Sequence, residues 1–313
     1  FVSKILAKIG LYKMLLLSVS IQTVSVLAMF IYFNPINLAL CHLIMGIMGG
    51  MNWMTMDTWV NIVSNDKNRG KAIGLYNSSI SIGFAVGPLI VALFGSQGLI
   101  PIILCLLLMI IRMPALYIMK NHINNVKIPE QINKINFSLV KIAPFIFIAI
   151  FIGGINDSSF GALFPAFMIN EQFTDRSIGF YFFVGAIGGV LSQPFVGALA
   201  DKVNKRKFLF SLLICHIIWP LLLFNFISIP LIIILSVIVW GFASVSIYTV
   251  ALAYLGERVS IKEISIATSV FIIIYEGGEF FGPIIVGLSM NQFGNPGFIY
   301  SILFITIISL ILE

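Results

Sequence analysis

Long apolar runs separated by short polar segments make up almost all of this chain. A helix needs about 20 apolar residues to cross the roughly 30 Å of hydrocarbon in a bilayer, and ten runs are about that long. Apolar and polar residues do not alternate within these runs, as they would in the strands of a membrane barrel. The pattern predicts ten membrane-spanning helices, over residues 13–32, 36–60, 72–94, 98–119, 142–168, 177–200, 207–227, 229–255, 264–289 and 296–312.

The composition excludes most classes of soluble protein. Of the 313 residues, 59% are hydrophobic and 10% are charged, whereas soluble domains have roughly 25% charged residues. So few polar side chains cannot cover a water-exposed globule, and the composition fits neither a disordered chain nor a disulfide-stapled secreted module. The three cysteines lie in apolar runs and fit neither a zinc site nor a redox motif. The sequence therefore predicts an all-α integral membrane protein.

The basic residues lie almost entirely on one side of the predicted membrane. Sixteen lysines and arginines fall in loops on that side, whereas Arg176 alone falls on the other and Arg112 lies within a span. Because positively charged loops stay in the cytoplasm, we expect the cytoplasmic (inner) membrane of a bacterium, with the basic loops inside. This placement explains the net charge of +6 without a nucleic-acid partner.

A polar stretch divides the predicted helices into two groups. We expect an N-terminal bundle over 1–119, a cytoplasmic linker over 120–141 and a C-terminal bundle over 142–313. The bundles share a motif at an offset of 195 residues, with Gly83, Gly87 and Pro88 in the first and Gly278, Gly282 and Pro283 in the second. Parallel duplication builds one large class of secondary transporters. The same offset leaves room for two helices before Phe1, so we expect the last ten helices of a twelve-helix protein.

The loop after the 177–200 span carries a motif that is typical of one transporter family. Residues 197–206 read Gly-Ala-Leu-Ala-Asp-Lys-Val-Asn-Lys-Arg. This resembles Gly-x-x-x-Asp-Arg/Lys-x-Gly-Arg/Lys-Arg/Lys, the cytoplasmic signature of the major facilitator superfamily, with Asn204 in place of the second glycine. Residues 64–71, 177–180 and 251–254 are similar to the YcaD-like branch of that superfamily.

The resemblance implies a two-bundle fold that acts as a monomer and moves a small molecule by alternating access. It also implies a cytoplasmic gate, formed by Gly197, Asp201, Lys202, Lys205, Arg206 and Arg69. A pattern described for the family's antiporters is met in part by Gly74, Gly83, Gly87 and Pro88. This pattern favours efflux, although it fails at Val91 and Ala92. The alternative role for these glycines is helix packing, because small residues let backbones approach closely in lipid.

Two acidic residues lie near the middle of the 264–289 span. Glu276 and Glu279 are three residues apart and therefore share a helix face. Two close carboxylates in a medium of low dielectric constant do not readily both ionise, so we expect at least one to hold a proton near neutral pH. This favours proton coupling or substrate contact. The alternative is a structural hydrogen bond to the backbone or to Tyr275.

Two aspartates are further candidates. Asp157 falls in the glycine- and serine-rich stretch 153–159, which predicts a loosened helix whose carbonyl groups line a cavity. A hydrogen bond between packed helices is the alternative. Asp57 lies at the cytoplasmic end of its span and resembles an acidic position of the YcaD-like branch. Its alternative role is an ion pair with Arg69 or Lys71.

The remaining polar and aromatic residues within spans favour structural roles. Arg112 is expected to extend to the membrane surface rather than bind substrate. His42 and His216 are expected near the membrane boundaries as satisfied interfacial residues. Trp53 and Trp240 are expected in the core, with stacking on a substrate as the alternative.

The sequence as a whole predicts a secondary active transporter of a small molecule, coupled to protons and directed towards efflux. The alternatives are a nutrient or metabolite importer or uniporter, and a non-transporting, truncated membrane protein. The chain has no serine-hydrolase, nucleotide-binding or zinc-protease motif. We therefore expect no enzymatic activity, no metal and no cofactor.

Overall fold

The computed structural model describes residues 8–63, 69–124, 137–200, 202–259 and 264–311. Within these residues the protein has ten α-helices, a short 3-10 helix and no β-strand. Each α-helix coincides with one predicted run, which confirms the all-α fold. The helices are α1 (Leu11–Ile31), α2 (Pro35–Val63), α3 (Arg69–Phe94), α4 (Leu99–Asn124), α5 (Pro144–Asn170), α6 (Asp175–Ala200), α7 (Lys205–Phe226), α8 (Pro230–Arg258), α9 (Ile264–Phe293) and α10 (Gly297–Ile311).

Most of these helices are long and apolar enough to cross a bilayer. Over the described part of the chain, seven meet both conditions: α1, α2, α4, α5, α7, α8 and α9. Two shorter apolar segments are Ile82–Phe94, which is part of α3, and Gly297–Ile311, which is α10. The chain is therefore a multi-pass membrane protein.

Local sequence explains where several helices begin. Pro35, Pro144 and Pro230 are the first residues of α2, α5 and α8, where a proline has a helical φ already and loses no helical hydrogen bond. At α7, the Asn204 side chain accepts a hydrogen bond of 3.1 Å from the Lys207 backbone N–H, as a typical N-cap residue does. Asn204 is the position that departs from the family signature, and here it caps α7.

The chain divides into two compact units. The first comprises Phe1–Ile80 and Ser96–Ile132, and the second comprises Ser81–Gly95 and Asn133–Glu313. In the first unit, α1 packs against α2 and α4. Its buried core consists of Leu11, Met14, Leu15, Val19, Leu116 and Ile123.

In the second unit, α5 packs on α9, α6 and α7 pack on α8, and α10 packs on α7 and α9. One of its two buried clusters is rich in aromatic rings. Phe160 stacks on Phe164 and on Trp240, and it meets Trp219 edge to face. Trp240 therefore packs in the core as predicted. Trp53, in the first unit, does not, because 49% of its surface is exposed.

Glycines bring two pairs of helices in the second unit into backbone contact. A side chain on Gly154 of α5 would overlap the Tyr275 carbonyl group of α9, and one on Gly278 of α9 would overlap the Phe151 carbonyl group of α5. Gly241 of α8 faces the Gly185 carbonyl group of α6 in the same way. Such contacts are typical of helices that pack through small residues in a membrane. The close approach of α5 and α9 sets the position of the candidate functional site.

Candidate functional site

Polar side chains from four helices meet in the interior of the second unit. We name this group the Asp157 cluster: Asp157 on α5, His216 on α7, Ser244 on α8, and Tyr275 and Glu279 on α9. Ionisable groups within membrane-spanning helices are costly and usually face a cavity or a partner. The cluster is therefore the first candidate for a functional site.

Asp157 is the centre of the cluster. Its Oδ2 accepts a hydrogen bond of 2.9 Å from the Tyr275 hydroxyl group. Its Oδ1 is buried and has no hydrogen-bond partner among the described residues, although the Ser244 side chain lies beside the carboxyl group. Asp157 thus has one hydroxyl donor, at Oδ2, and a second oxygen without a donor among these residues.

The helix around Asp157 differs from the sequence prediction. The stretch 153–159 was expected to loosen the helix, but α5 runs without a break from Pro144 to Asn170. Gly154 instead allows α9 to pack closely on α5, because it lies against the Tyr275 carbonyl group. This packing brings the Tyr275 hydroxyl group within reach of Asp157. The lining of the site is therefore made of side chains rather than freed backbone carbonyl groups.

Glu279 joins the cluster through Tyr275. The two residues are four apart on α9, on one helix face, and the Tyr275 hydroxyl group lies beside the Glu279 carboxyl group. Glu279 is half-buried and Glu276 is exposed in this unit. The structure therefore brings Glu279 together with Asp157 around one hydroxyl group, whereas Glu276 lies at the edge. A phenolic hydroxyl between two carboxyl groups donates its single hydrogen to one of them at a time.

His216 is the residue that sequence reasoning placed wrongly. It is fully buried, midway along α7, and its Nε2 lies 3.4 Å from Ser244 Oγ. It was expected near a membrane boundary, but residue 216 is close to the middle of the predicted 207–227 span. That central position was the signal for a buried role.

A second buried polar contact extends from α5 to α10. Asn156 is fully buried, and its Nδ2 donates to the Ile152 carbonyl group at 3.1 Å and to Thr306 Oγ1 at 3.5 Å. Sequence analysis did not single out either residue. Neither carries a charge, so this contact serves to join helices rather than to hold a proton.

Arg112 also differs from its prediction. Its Nη1 donates to Gln22 Oε1 of α1 at 3.1 Å, and Gln22 is buried. The side chain therefore turns towards a neighbouring helix of the first unit instead of extending to the membrane surface. The Gln22 amide oxygen accepts a hydrogen bond that the Arg112 guanidinium group would otherwise make to water at the membrane surface.

Three residues of the predicted gate, Lys202, Lys205 and Arg206, lie at the start of α7 or just before it. Lys205 Nζ forms an ion pair of 2.6 Å with Glu257 Oε1 of α8. The Arg206 guanidinium group lies 5.8 Å from the Phe145 ring centre, and Lys202 is exposed. Glu257 was not found from the sequence. The pair joins two helices of one unit.

Several predicted site residues lie outside what the structure describes. These are Asp201 as a whole, the side chains of Asp57 and Arg69, and the surroundings of Gly74 and Gly197. Beside the motif glycines of α3, a Cβ at Gly83 or Gly87 would meet no described atom of another helix within 4 Å. The neighbouring Pro88 carbonyl group lies against Gly179 of α6. Of the repeated motif, Gly278 and Gly282 meet α5 directly.

A cavity with apolar walls lies elsewhere in the second unit. It is a groove of about 720 Å³ between α6, α7 and α8. Its lining is apolar apart from Ser192 and Cys215, and the Ser192 hydroxyl group already donates to the Gly189 carbonyl group at 2.7 Å. This groove offers a surface for apolar groups, whereas the Asp157 cluster offers the ionisable ones.

Comparison with known proteins identifies the class of this fold. The family model of the Major Facilitator Superfamily matches the chain twice, over residues 1–145 and 146–312. The chain belongs to the Major Facilitator Superfamily. Two solved structures of a bacterial homologue of the human lysosomal transporter Spinster share the fold. Its inward-facing, occupied form aligns with a TM-score of 0.68 and 12% identity over 99% of this chain and 82% of that one. Its inward-facing, unoccupied form aligns with a TM-score of 0.67 and 13% identity.

Curated relatives place the chain within the superfamily. The uncharacterized MFS-type transporter YfkF of Bacillus subtilis is 23% identical over 308 residues, which is 96% of this chain and 78% of the relative. The uncharacterized MFS-type transporter YcaD of Escherichia coli is 24% identical over 268 residues, which is 84% of this chain and 67% of the relative. These relatives support the YcaD-like branch.

Proposed function

We propose that this chain is a proton-coupled secondary transporter that moves a small molecule across the bacterial cytoplasmic membrane by alternating access. The observation that carries the proposal is the 2.9 Å hydrogen bond from Tyr275 to Asp157, with Glu279 beside the same hydroxyl group. Carboxyl groups inside a membrane protein mark proton and ion paths. In this proposal Asp157 and Glu279 hold the proton, and Glu276 and Asp57 act at the periphery of the path.

The chemistry of the cluster suggests how a proton is linked to a helix movement. When Asp157 is ionised, the Tyr275 hydroxyl group donates to it and ties α9 to α5. When Asp157 takes up a proton, it no longer needs this donor, and Tyr275 is free to donate to an ionised Glu279. Protonation thus changes the partner of the hydroxyl group from Asp157 on α5 to Glu279 on α9, and this bond then no longer ties the two helices together.

The cytoplasmic side supplies the gate in this proposal. Asp201, Lys202, Arg206 and Arg69 would form contacts that open and close as the bundles 1–119 and 142–313 move, with 120–141 as their linker. The Lys205–Glu257 pair would keep α7 and α8 together during that movement. Gly74, Gly83, Gly87 and Pro88 support efflux, because they follow the antiporter pattern in part.

The proposal is tested by following protons in vesicles. The full-length protein is reconstituted with a pH-sensitive dye inside, a pH gradient is imposed, and small molecules are added one at a time. We expect some compound to release the gradient through the wild type but not through Asp157→Asn. Glu171→Gln is the matched control, because Glu171 is an exposed carboxylate bound by Asn295. Transport of a compound that ignores the pH gradient, or full coupling in Asp157→Asn, would overturn the proposal.

A further inference from the structure

His216 is a fully buried imidazole that the mechanism above does not use. Its Nε2 lies 3.4 Å from Ser244 Oγ, whereas its Nδ1 is buried and has no hydrogen-bond partner in the described part of the chain. Only one of the two ring nitrogens therefore has a partner among these residues.

The pairing decides where the ring carries its hydrogen. A neutral imidazole has one N–H, on Nδ1 or on Nε2, and a cationic one has both. A buried N–H without an acceptor is rarer and costlier than a buried lone pair without a donor. The neutral ring with its hydrogen on Nε2 leaves no N–H unpaired. In that form His216 donates to Ser244 Oγ.

Ser244 then has its own hydrogen left to donate. It is buried on α8 and lies beside the Asp157 carboxyl group, whose Oδ1 lacks a partner among the described residues. A serine that accepts from His216 is directed to donate towards this oxygen. This donation would complete a chain from His216 Nε2–H through Ser244 Oγ–H to Asp157 Oδ1, while Tyr275 donates to Oδ2.

We propose that His216 is a positioning residue for Asp157, acting through Ser244 to hold a second hydroxyl donor against the carboxylate. This inference rests on the proposed function, in which Asp157 takes up and releases the transported proton. Among the described residues, the titratable groups that act on Asp157 directly are Tyr275 and Glu279 from α9, and His216 from α7 reaches it through Ser244. From α8 it meets the Ser244 hydroxyl group, and α10 presents Thr306 beside the neighbouring Asn156.

The proposal has a measurable consequence. A hydroxyl donor stabilises the ionised form of a carboxyl group. Without it, Asp157 binds its proton at a higher pH, by about one pH unit, which is a tenfold change in the protonation equilibrium. Because His216 and Ser244 act in series, removing both has the same effect as removing Ser244 alone.

The experiment is infrared spectroscopy of the purified full-length protein in lipid, across a pH series. The carbonyl band of the protonated Asp157 is assigned by its loss in Asp157→Asn. We expect its midpoint to rise by about one unit in Ser244→Ala and in His216→Leu, and to rise no further in the double variant. His216→Gln should restore the wild-type midpoint, because its amide supplies an N–H near the place of Nε2.

Two control variants separate positioning from packing. Ser246→Ala removes a buried hydroxyl group of α8 that has no partner among the described residues, and His42→Gln changes an exposed histidine of α2. Neither should move the midpoint. If a His216 variant fails to fold, the midpoints of Ser244→Ala and Ser246→Ala are compared instead. A midpoint raised only in Ser244→Ala supports the positioning role.

The outcomes also separate this inference from the proposed function. An unchanged midpoint in Ser244→Ala, or shifts that add in the double variant, would overturn the positioning role even if transport is proton-coupled. A shifted midpoint together with transport that ignores the pH gradient would support the positioning role and overturn the coupling. If the wild type shows no Asp157 band at any pH, both fail.

Discussion

Gly278 lies directly against the Phe151 carbonyl group, so that α9 and α5 meet at backbone distance. The same crossing holds Tyr275 against Asp157 at 2.9 Å. The glycine motif of α9 therefore does more than join helices, because it brings Tyr275 and Asp157 of the candidate site together.

Gly278→Ala tests this crossing, and Gly277→Ala is its matched control. A Cβ at Gly278 overlaps a backbone carbonyl group, whereas one at Gly277 makes an ordinary contact of 3.8 Å with the Phe151 ring. We expect Gly278→Ala to destabilise the protein by about 1–3 kcal/mol and Gly277→Ala to leave stability nearly unchanged. Thermal unfolding of the purified variants in one detergent measures the difference. Equal melting temperatures would contradict the packing described for α5 and α9.

The positions of the helices could be predicted from the sequence, because a membrane span is a property of a single run of residues. Runs such as 36–60 and 142–168 became α2 and α5 with small changes at their ends. Asn204 shows where the limit lies: its identity as a departure from the family signature was visible, but its role as the N-cap of α7 needed the backbone.

The candidate site could be predicted only in part. Asp157 and Glu279 stood out because a carboxyl group in an apolar run is unusual. Their meeting at Tyr275 depends on the register between α5 and α9, two helices far apart in sequence, and no pattern within either run fixes it. His216 was missed because a lone histidine was assigned to the boundary, although its place near the middle of a span indicated burial.

The ion pair between Lys205, at the start of α7, and Glu257 of α8 should contribute little to stability. The Lys205 side chain is largely covered, but Glu257 is more than half exposed, so solvent screens the pair, and screened ion pairs contribute roughly 0.2–1 kcal/mol. We therefore expect Lys205→Met and Glu257→Gln each to lower stability by less than about 1 kcal/mol, with the exchanged pair Lys205→Glu, Glu257→Lys close to the wild type. A double-mutant cycle from thermal unfolding measures the coupling. A loss several times larger would show that this pair is a main support of the fold.

The hydrogen bond between Arg112 and Gln22 should stabilise the first unit. Gln22→Leu removes the 3.1 Å acceptor and leaves a part-buried guanidinium group without it, so we expect a loss of about 1–3 kcal/mol in stability. Replacing both residues, in Gln22→Leu with Arg112→Leu, should recover most of that loss because neither polar group remains. If the double variant is less stable than Gln22→Leu, the hydrogen bond does not explain the place of Arg112.

The two glutamates of α9 should differ in their effect on coupling. Glu279 lies beside the Tyr275 hydroxyl group, whereas Glu276 is exposed at the edge of the cluster. We expect Glu279→Gln to reduce transport driven by a pH gradient by about tenfold or more and Glu276→Gln to have the smaller effect. Initial rates in vesicles, with and without the gradient, measure both. The idea fails for Glu279 if its variant keeps the full gradient dependence of the wild type.

The most direct test of the account is to separate transport from coupling in Asp157→Asn. Vesicles that contain the full-length protein are loaded with the substrate found in the dye screen, and two rates are measured: exchange of labelled substrate with no gradient, and accumulation driven by a pH gradient. We expect Asp157→Asn to keep exchange, because asparagine preserves the size of the side chain, and to lose accumulation, because it cannot take up the proton. Gradient-driven accumulation at the wild-type rate in Asp157→Asn would contradict the account.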